Sequence, residues 1–242
     1  MLTIGVAPAS PYKYRHAPQV IFRYRSIRKT LIGCYNRGAR YLSLSSSGEP
    51  TLSPKSQTVA LEIVHQLAEE GTKYEQVNMY TNGIRIGSDE YFCERYLKLW
   101  RDLGLTHFYI TVHGAGEVKN AEVYRVPVYP PFEQVFSRVK QRGYVVRANI
   151  VLSQTIGGLK GFIDIVERLN SLGVSTITAW PMRDDNDEID RINIIPENEM
   201  GAIVTWVKNS GYDIRIYSGC NDYHDKITLF QNGQLTNKWC NH

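Results

Sequence analysis

Cysteine is scarce in this chain. The 242 residues include four, Cys34, Cys93, Cys220 and Cys240, too few and too far apart for the disulfide framework of a small secreted domain. Cys34 and Cys93 sit inside helix-like stretches, where a small buried hydrophobe is the plain reading. Long apolar runs are absent too: none approaches the roughly 18 residues of a membrane span. The opening Met1-Leu2-Thr3-Ile4-Gly5-Val6 lacks a basic start and is too short for the apolar region of a secretory signal. The expectation is a soluble cytoplasmic protein without membrane contact. Negative charge is missing from one end. Residues 1–48 contain no Asp or Glu, yet carry Lys13, Arg15, Arg23, Arg25, Arg28, Lys29, Arg37 and Arg40. The rest of the chain holds 20 basic and 24 acidic residues. Such a positive end attracts anions: phosphate, nucleic acid or an acidic peptide. A solvated basic face without specific purpose explains it equally well.

What is present is an alternation of short apolar runs and amphipathic stretches. Strands are expected at Leu2–Val6, Arg40–Leu44, Gln76–Tyr80, His107–Val112, Val145–Leu152, Thr176–Trp180 and Asp213–Tyr217. Helices are expected at Ser56–Glu70, Tyr91–Leu103, Phe132–Arg142, Leu159–Leu172 and Glu197–Lys208. Gly71, Gly104, Gly143, Gly173 and Gly211 stand where these helices end, the position that favours a left-handed residue. Repeated β-loop-α units imply right-handed crossovers and a parallel sheet. Six or seven of them suggest an α/β fold, a full or partial parallel (β/α) barrel, rather than a small doubly wound sheet. Residues 1–217 would form this barrel. Residues 218–242 would form a β-hairpin appendage, since Gln231-Asn232-Gly233 offers a tight turn between two short apolar runs.

In such a barrel, chemistry belongs at the C-terminal ends of the strands. That selects Ser45–Pro50, Thr81-Asn82-Gly83, His113-Gly114, Ser153-Gln154 and Pro181–Asp185. In Leu42-Ser43-Leu44-Ser45-Ser46-Ser47-Gly48-Glu49-Pro50-Thr51-Leu52, a strand runs into a small-residue turn ending in a carboxylate. Small residues let the backbone approach a ligand. Glu49 would either bond that ligand or brace the turn. A plain strand-to-helix connection is the alternative.

This segment resembles the Gly-Gly-Glu-Pro turn of the radical SAM superfamily, in a Ser-Gly-Glu-Pro-Thr-Leu form. Val77-Asn78-Met79-Tyr80-Thr81-Asn82-Gly83, Tyr109-Ile110-Thr111-Val112-His113-Gly114 and Val146–Leu152 resemble that superfamily's third, fourth and fifth strands in order. The resemblance implies a radical-SAM-type barrel with S-adenosylmethionine bound around Ser46, Ser47, Gly48 and Glu49. Thr81 and Asn82 would close one side, and Arg147 and Asn149 would approach the ligand's carboxylate or ribose. It also implies a four-iron cluster held by Cys-x3-Cys-x2-Cys after the first strand. No such triplet exists here; residues 7–16 read Ala-Pro-Ala-Ser-Pro-Tyr-Lys-Tyr-Arg-His. Either the loop has been replaced, with Lys13, Arg15 and His16 holding an anion, or the cysteines lie upstream or on another chain.

Further candidates follow. Cys220-x3-His224 and Cys240-x-His242 offer two thiolates and two imidazoles, enough for zinc, and resemble a reduced form of the superfamily's auxiliary-cluster appendage. Free thiols or a structural pair are the alternative. His113 would serve as a ligand or acid–base group, or as a structural histidine. Arg147 would bind a carboxylate or form an ion pair within the barrel. The loop from Met182 to Glu188 would take a divalent cation or remain solvated. Three functional readings result. The first is a radical SAM protein with a degenerate iron–sulfur site, binding S-adenosylmethionine or a related ligand and acting on a small molecule or peptide. The second is a non-catalytic partner or binding protein on the same fold, with nucleic acid or protein at the basic segment. The third is a barrel enzyme with non-radical chemistry on a phosphorylated substrate, using His113.

Overall fold

The computed structural model describes residues 2–4, 24–44, 48–174, 176–183, 189–217, 227–229 and 235–236. In chain order its elements are β1 (Leu2–Ile4), α1 (Tyr24–Asn36), β2 (Tyr41–Leu44), α2 (Pro54–Glu69), β3 (Gln76–Thr81), α3 (Ile84–Ser88) and α4 (Glu90–Phe92). After a π-helical turn at Cys93–Leu97 come α5 (Lys98–Asp102), β4 (His107–Val112), α6 (Glu117–Tyr124), α7 (Phe132–Gln141) and β5 (Val145–Leu152). Then follow α8 (Gly158–Ser171), β6 (Thr176–Pro181), α9 (Glu197–Ser210), β7 (Asp213–Ile216), β8 (Ile227–Leu229) and β9 (Leu235–Thr236). None of the described helices is long and apolar enough to cross a membrane.

The strands form one sheet in the order β7-β6-β5-β4-β3-β2-β1-β8-β9. Every ladder from β7 to β8 is parallel; only β8 and β9 run antiparallel. The order from β1 to β7 never reverses. Right-handed crossovers that all step in one direction put their helices on one side of the sheet, whereas a doubly wound sheet reverses at a switch point. Among the described residues no ladder joins β7 to β1, whose free edge is taken by β8. The described strands are those of an α/β fold consistent with a partial (β/α) barrel. The hairpin strand β8 pairs with β1 residue for residue, Leu2 with Ile227 and Ile4 with Leu229, and so extends the sheet itself.

Alternation along the strands sorts the side chains. Val77, Met79, Phe108, Ile110, Val112, Val146, Ala148, Ile150, Leu152, Ile177 and Ala179 are buried and join the helices in one core. The helices supply the other half through regular spacing. In α7 the buried residues are Phe132, Val135, Phe136 and Val139; in α8 they are Phe162, Ile165, Val166 and Leu169. Both follow i, i+3, i+4, i+7, the stripe that faces a sheet. Burying each of these large side chains contributes about 1.5–3 kcal/mol.

The strands and longer helices sit within a few residues of the expected bounds. The single helix expected at Tyr91–Leu103 is instead broken by the π turn, which adds a residue to one coil and keeps Phe92, Cys93, Leu97 and Trp100 all buried. Helix α1 contains Cys34, as the helix-like stretch around it implied; α3 and α6 go beyond the helices expected from the sequence, being short, five and eight residues, and too brief to show a period. The five helix-ending glycines all have positive φ, from 69° to 99°.

Candidate functional site

The C-terminal ends of β2, β3 and β4 meet in a connected polar corner. After β2 the chain turns at Gly48 and Glu49 into a single 3-10 turn, Pro50–Leu52. Glu49 caps that turn: its Oε1 accepts from the Thr51 N–H at 3.0 Å and the Thr51 hydroxyl at 2.7 Å. The same carboxylate reaches across to β3. Oε1 also accepts from the Thr81 hydroxyl at 2.6 Å, and Oε2 from the Asn82 N–H at 2.7 Å. Burial pushes the Glu49 carboxyl above its usual range, while all four hydrogen bonds oppose that rise. Each donor favours the ionised form, so the carboxylate acts as a brace that sets the turn against the end of β3.

The Thr81-Asn82-Gly83 corner is held from several further directions. Its own side chains fold back, with the Thr81 hydroxyl accepting from Gly83 N–H and Asn82 Oδ1 accepting from Ile84 N–H. Gly83 has φ 75°, and a Cβ there would lie 2.8 Å from Val135 Cγ1, so only glycine fits without displacement. Tyr129 donates its hydroxyl to the Asn82 carbonyl at 2.7 Å, and Arg85 Nη1 donates to the Thr51 carbonyl at 2.8 Å.

His113 follows the end of β4. It is 8% exposed, and its Nδ1 is buried without a hydrogen-bond partner. Its ring stands edge-on to Tyr124 at 4.9 Å, and Tyr124 stacks with Tyr129 at 5.9 Å. An aromatic run therefore links His113 to the Glu49 corner. Burial lowers the imidazole to about 4, so it is neutral at pH 7. A general acid or base works best near the operating pH; this one is suited to hydrogen bonding. Asn120, fully buried, fixes the loop: its Oδ1 accepts from His113 N–H and its Nδ2 donates to the Gly114 and Gly116 carbonyls.

Arg147 and Asn149 lie on β5, on the face of the sheet opposite the helices. Arg147 Nη1 donates to the Tyr109 hydroxyl at 2.6 Å, and Asn149 Oδ1 accepts from the Thr178 hydroxyl at 3.1 Å. The ion pair weighed for Arg147 is not formed among the described residues; a phenol takes its place.

The structure thus brings Glu49, Thr81 and Asn82 into direct contact and sets His113 beside them through Tyr124 and Tyr129. Ser46, Ser47, Lys13, Arg15, His16, Cys220, His224, Cys240 and His242, with residues 184–188 of the acidic loop, lie outside the described residues. Asn120 and Arg85 were not legible as site residues in the sequence. Thr51 alone had a local signal, two residues after Glu49 in a Pro-initiated turn.

An iron–sulfur cluster does not fit the donors. β1 pairs with β2 and is the first strand of the barrel, and the 19 residues between β1 and α1 contain no cysteine. Cys34 and Cys93 are buried on the helical layer, and the Cys93 thiol donates to the Ile86 carbonyl. Burial raises both thiols, Cys93 to about 11, away from the thiolate a metal needs. Only Cys220 and Cys240 remain, and three thiolates cannot be assembled from two. Among the described residues no group of three or more His, Cys, Asp or Glu could hold a metal ion.

No family model and no curated protein matches the chain. Solved structures do. SuiB from Streptococcus suis bound to the precursor peptide SuiA is similar over 98% of this chain, with TM-score 0.69 and 12% identity. anSMEcpe with bound AdoMet and Cp18Cys peptide is similar over 97%, with TM-score 0.64 and 12% identity. A radical SAM methyltransferase from Sphaerobacter thermophilus is similar over 87%, with TM-score 0.59 and 12% identity. The chain spans 58% of the length of SuiB, 72% of anSMEcpe and 61% of the methyltransferase. At such identities the likeness speaks for architecture, and with the monotonic parallel sheet and the braced Gly-Glu-Pro turn it gives one conclusion: this chain has the radical SAM fold.

Proposed function

We propose that the chain binds S-adenosylmethionine or a closely related ligand at the ends of β2, β3 and β4, and acts on a small molecule or peptide with a degenerate iron–sulfur site. The observation that carries this reading is the Glu49 brace, which devotes four hydrogen bonds to shaping a small-residue turn at the barrel rim. Two similar structures add support: SuiB has been solved with S-adenosylmethionine, and anSMEcpe with AdoMet and a peptide.

In this reading the backbone of Ser46, Ser47 and Gly48 receives the ligand's ammonium group, beside the Glu49 carboxylate that fixes the following turn against the end of β3. Thr81 and Asn82 close one side. The unpartnered Nδ1 of His113 is an acceptor for a ligand hydroxyl. When bound, S-adenosylmethionine supplies an electrophilic sulfonium centre. The thiols of this chain do not furnish the cluster that would deliver an electron for radical cleavage, so the reading assigns the chain's residues to binding and orienting the ligand.

Calorimetry with S-adenosylmethionine tests the reading. Wild type should bind, and Glu49→Gln should weaken binding at least tenfold, because the amide places an N–H against the Asn82 or Thr51 donors. Anaerobic reconstitution followed by iron analysis should give no stoichiometric iron. No heat with wild type sinks the cofactor reading and leaves the partner reading; full iron loading sinks the degenerate site.

A further inference from the structure

The face of the sheet opposite the described helices follows from the strand register. Tyr80 on β3, Tyr109 on β4 and Arg147 on β5 are successive Cα partners. The next row on that face holds Thr111, Asn149, Thr178 and Arg215. Tyr80 and Tyr109 are stacked, with centroids 4.5 Å apart and planes 15° apart. The Arg147 guanidinium lies 5.5 Å from the Tyr109 centroid. The row is slanted. Arg147 stands five residues before the end of β5, roughly 16 Å along the strand, whereas Tyr80 is one residue before the end of β3. The tyrosine pair therefore forms a shelf that climbs from Arg147 toward the Glu49 corner.

Arg147 is an incompletely served cation. Nη1 is taken by Tyr109, while Nε is buried with no partner. Among the described residues it has no carboxylate partner. On this face the described strand positions from β2 to β7 include one acid, Asp213, the first residue of β7, which accepts from the Thr176 hydroxyl. Nearby His107, also on this face, is held down to about 4 by burial first and then by Arg147 and Arg101, so it brings neither a counter-charge nor a second cation. The Arg147 side chain is half-buried, and its Nε, cut off from water and without an acceptor, is costly to leave unmet. Such a group persists where a ligand completes it.

The geometry of the guanidinium says which ligand. With Nη1 engaged, the Nε–Nη2 edge is left, and two parallel N–H groups on one edge match a carboxylate in bidentate fashion. Asn149, with its oxygen committed to Thr178, presents its Nδ2 on the neighbouring row. We infer that Arg147, supported by Asn149 and the Tyr80–Tyr109 shelf, is the receptor for a carboxylate of the substrate, so that this barrel takes acids: a peptide C-terminus or a small organic diacid. The inference rests on the barrel interior being the substrate chamber, and does not depend on which cofactor binds at the rim. It assigns Arg147 and Asn149 to the substrate in place of the S-adenosylmethionine carboxylate that the sequence suggested for them.

The test uses calorimetry on the full chain with three probes: glutarate, the peptide acetyl-Ala-Ala-Ala with a free C-terminus, and the same peptide as its amide. At least one acid should bind, the amide should not, and which acid binds identifies the source. Arg147→Gln should lower acid affinity at least tenfold. Asn149→Asp places a carboxylate beside Arg147 within the protein; it should abolish acid binding and raise the melting temperature, a readout that survives if Arg147→Gln fails to fold. Equal binding of acid and amide, or full affinity in Arg147→Gln, overturns the proposal. So does loss of S-adenosylmethionine affinity in Arg147→Gln together with its competition against the acids, because the carboxylate held would then be the cofactor's. Acid binding without any S-adenosylmethionine binding sinks the cofactor reading and leaves this one standing.

Discussion

Two charged side chains on the same sheet are treated in opposite ways. Glu49, at the ends of β2 and β3, receives four hydrogen bonds from three residues of its own chain. Arg147, two strands away on the inner face, has one phenolic partner and an orphaned Nε. Both charges are costly to bury. In the first the chain itself has met the cost, so the group shapes the turn and leaves the contact with a ligand to its neighbours. In the second one donor is left unmet, the one that the proposed carboxylate would complete. The pair shows that the partners of a charged group decide its part: a fully served carboxylate shapes a turn, and an unserved donor offers a contact.

Removing Glu49 puts this contrast under the greatest strain. Glu49→Ala strands two backbone N–H groups and two hydroxyls, and should cost about 4 kcal/mol in urea-unfolding free energy. A cost below about 1 kcal/mol would show that the carboxylate is not the brace described. Acidification comes next. His113 in the folded chain titrates at about 4, against 6.5 in its unperturbed form. The unfolded chain therefore binds more protons between those values, so stability is fully present above pH 6.5 and is lost as pH falls toward 4. The loss should reach about 3 kcal/mol for this group. In His113→Gln, unfolding curves between pH 7 and pH 4 should flatten by that amount, and an unchanged slope removes His113 from the buried rim.

A pair of glycines bears on the same corner. Gly83 and Gly71 both have positive φ, but a Cβ at Gly83 meets Val135 at 2.8 Å whereas at Gly71 nothing lies within 4 Å. Gly83→Ala should cost about 3 kcal/mol through strain and overpacking, and Gly71→Ala about 1 kcal/mol through strain alone. Thermal melts of the two variants should differ accordingly; equal melting temperatures would mean that the corner yields easily. The smallest effect is expected at Arg147. Arg147→Met removes one hydrogen bond and one half-buried cation with an unmet donor, and these offset to within about 1 kcal/mol. A loss as large as that of Glu49→Ala would place Arg147 in the architecture as well.

Much of the scaffold is written locally. The apolar spacing of α7 and α8 matches their buried faces residue for residue, and the glycines closing the helices take positive φ. Glu49, Thr81 and Asn82 could be picked out because a turn motif and a strand ending each carry a local pattern. Their mutual contact could not, since it joins residues 32 and 33 positions apart. Asn120 had no signal at all. It is a polar residue in the first turns of a short helix, and only the loop packed over it makes it fully buried. Arg147 and Asn149 were visible as polar residues inside a strand, but their partners Tyr109 and Thr178 follow from strand register, which no local pattern states.

Residue order alone set the alternation of strands and helices, the glycine stops, the small-residue turn at Gly48 and Glu49, and the lack of cysteine after the first strand. These depend on residue type and on spacings of a few positions, where backbone preference and side-chain periodicity act directly. It took the folded chain to establish that β8 lies along the edge of β1, that Glu49 faces inward to its own chain, and that Arg147 is left with an unmet donor. Those outcomes depend on which distant residues come to lie within hydrogen-bonding distance, and that is settled only when the whole sheet takes its register and the core closes over one of its faces.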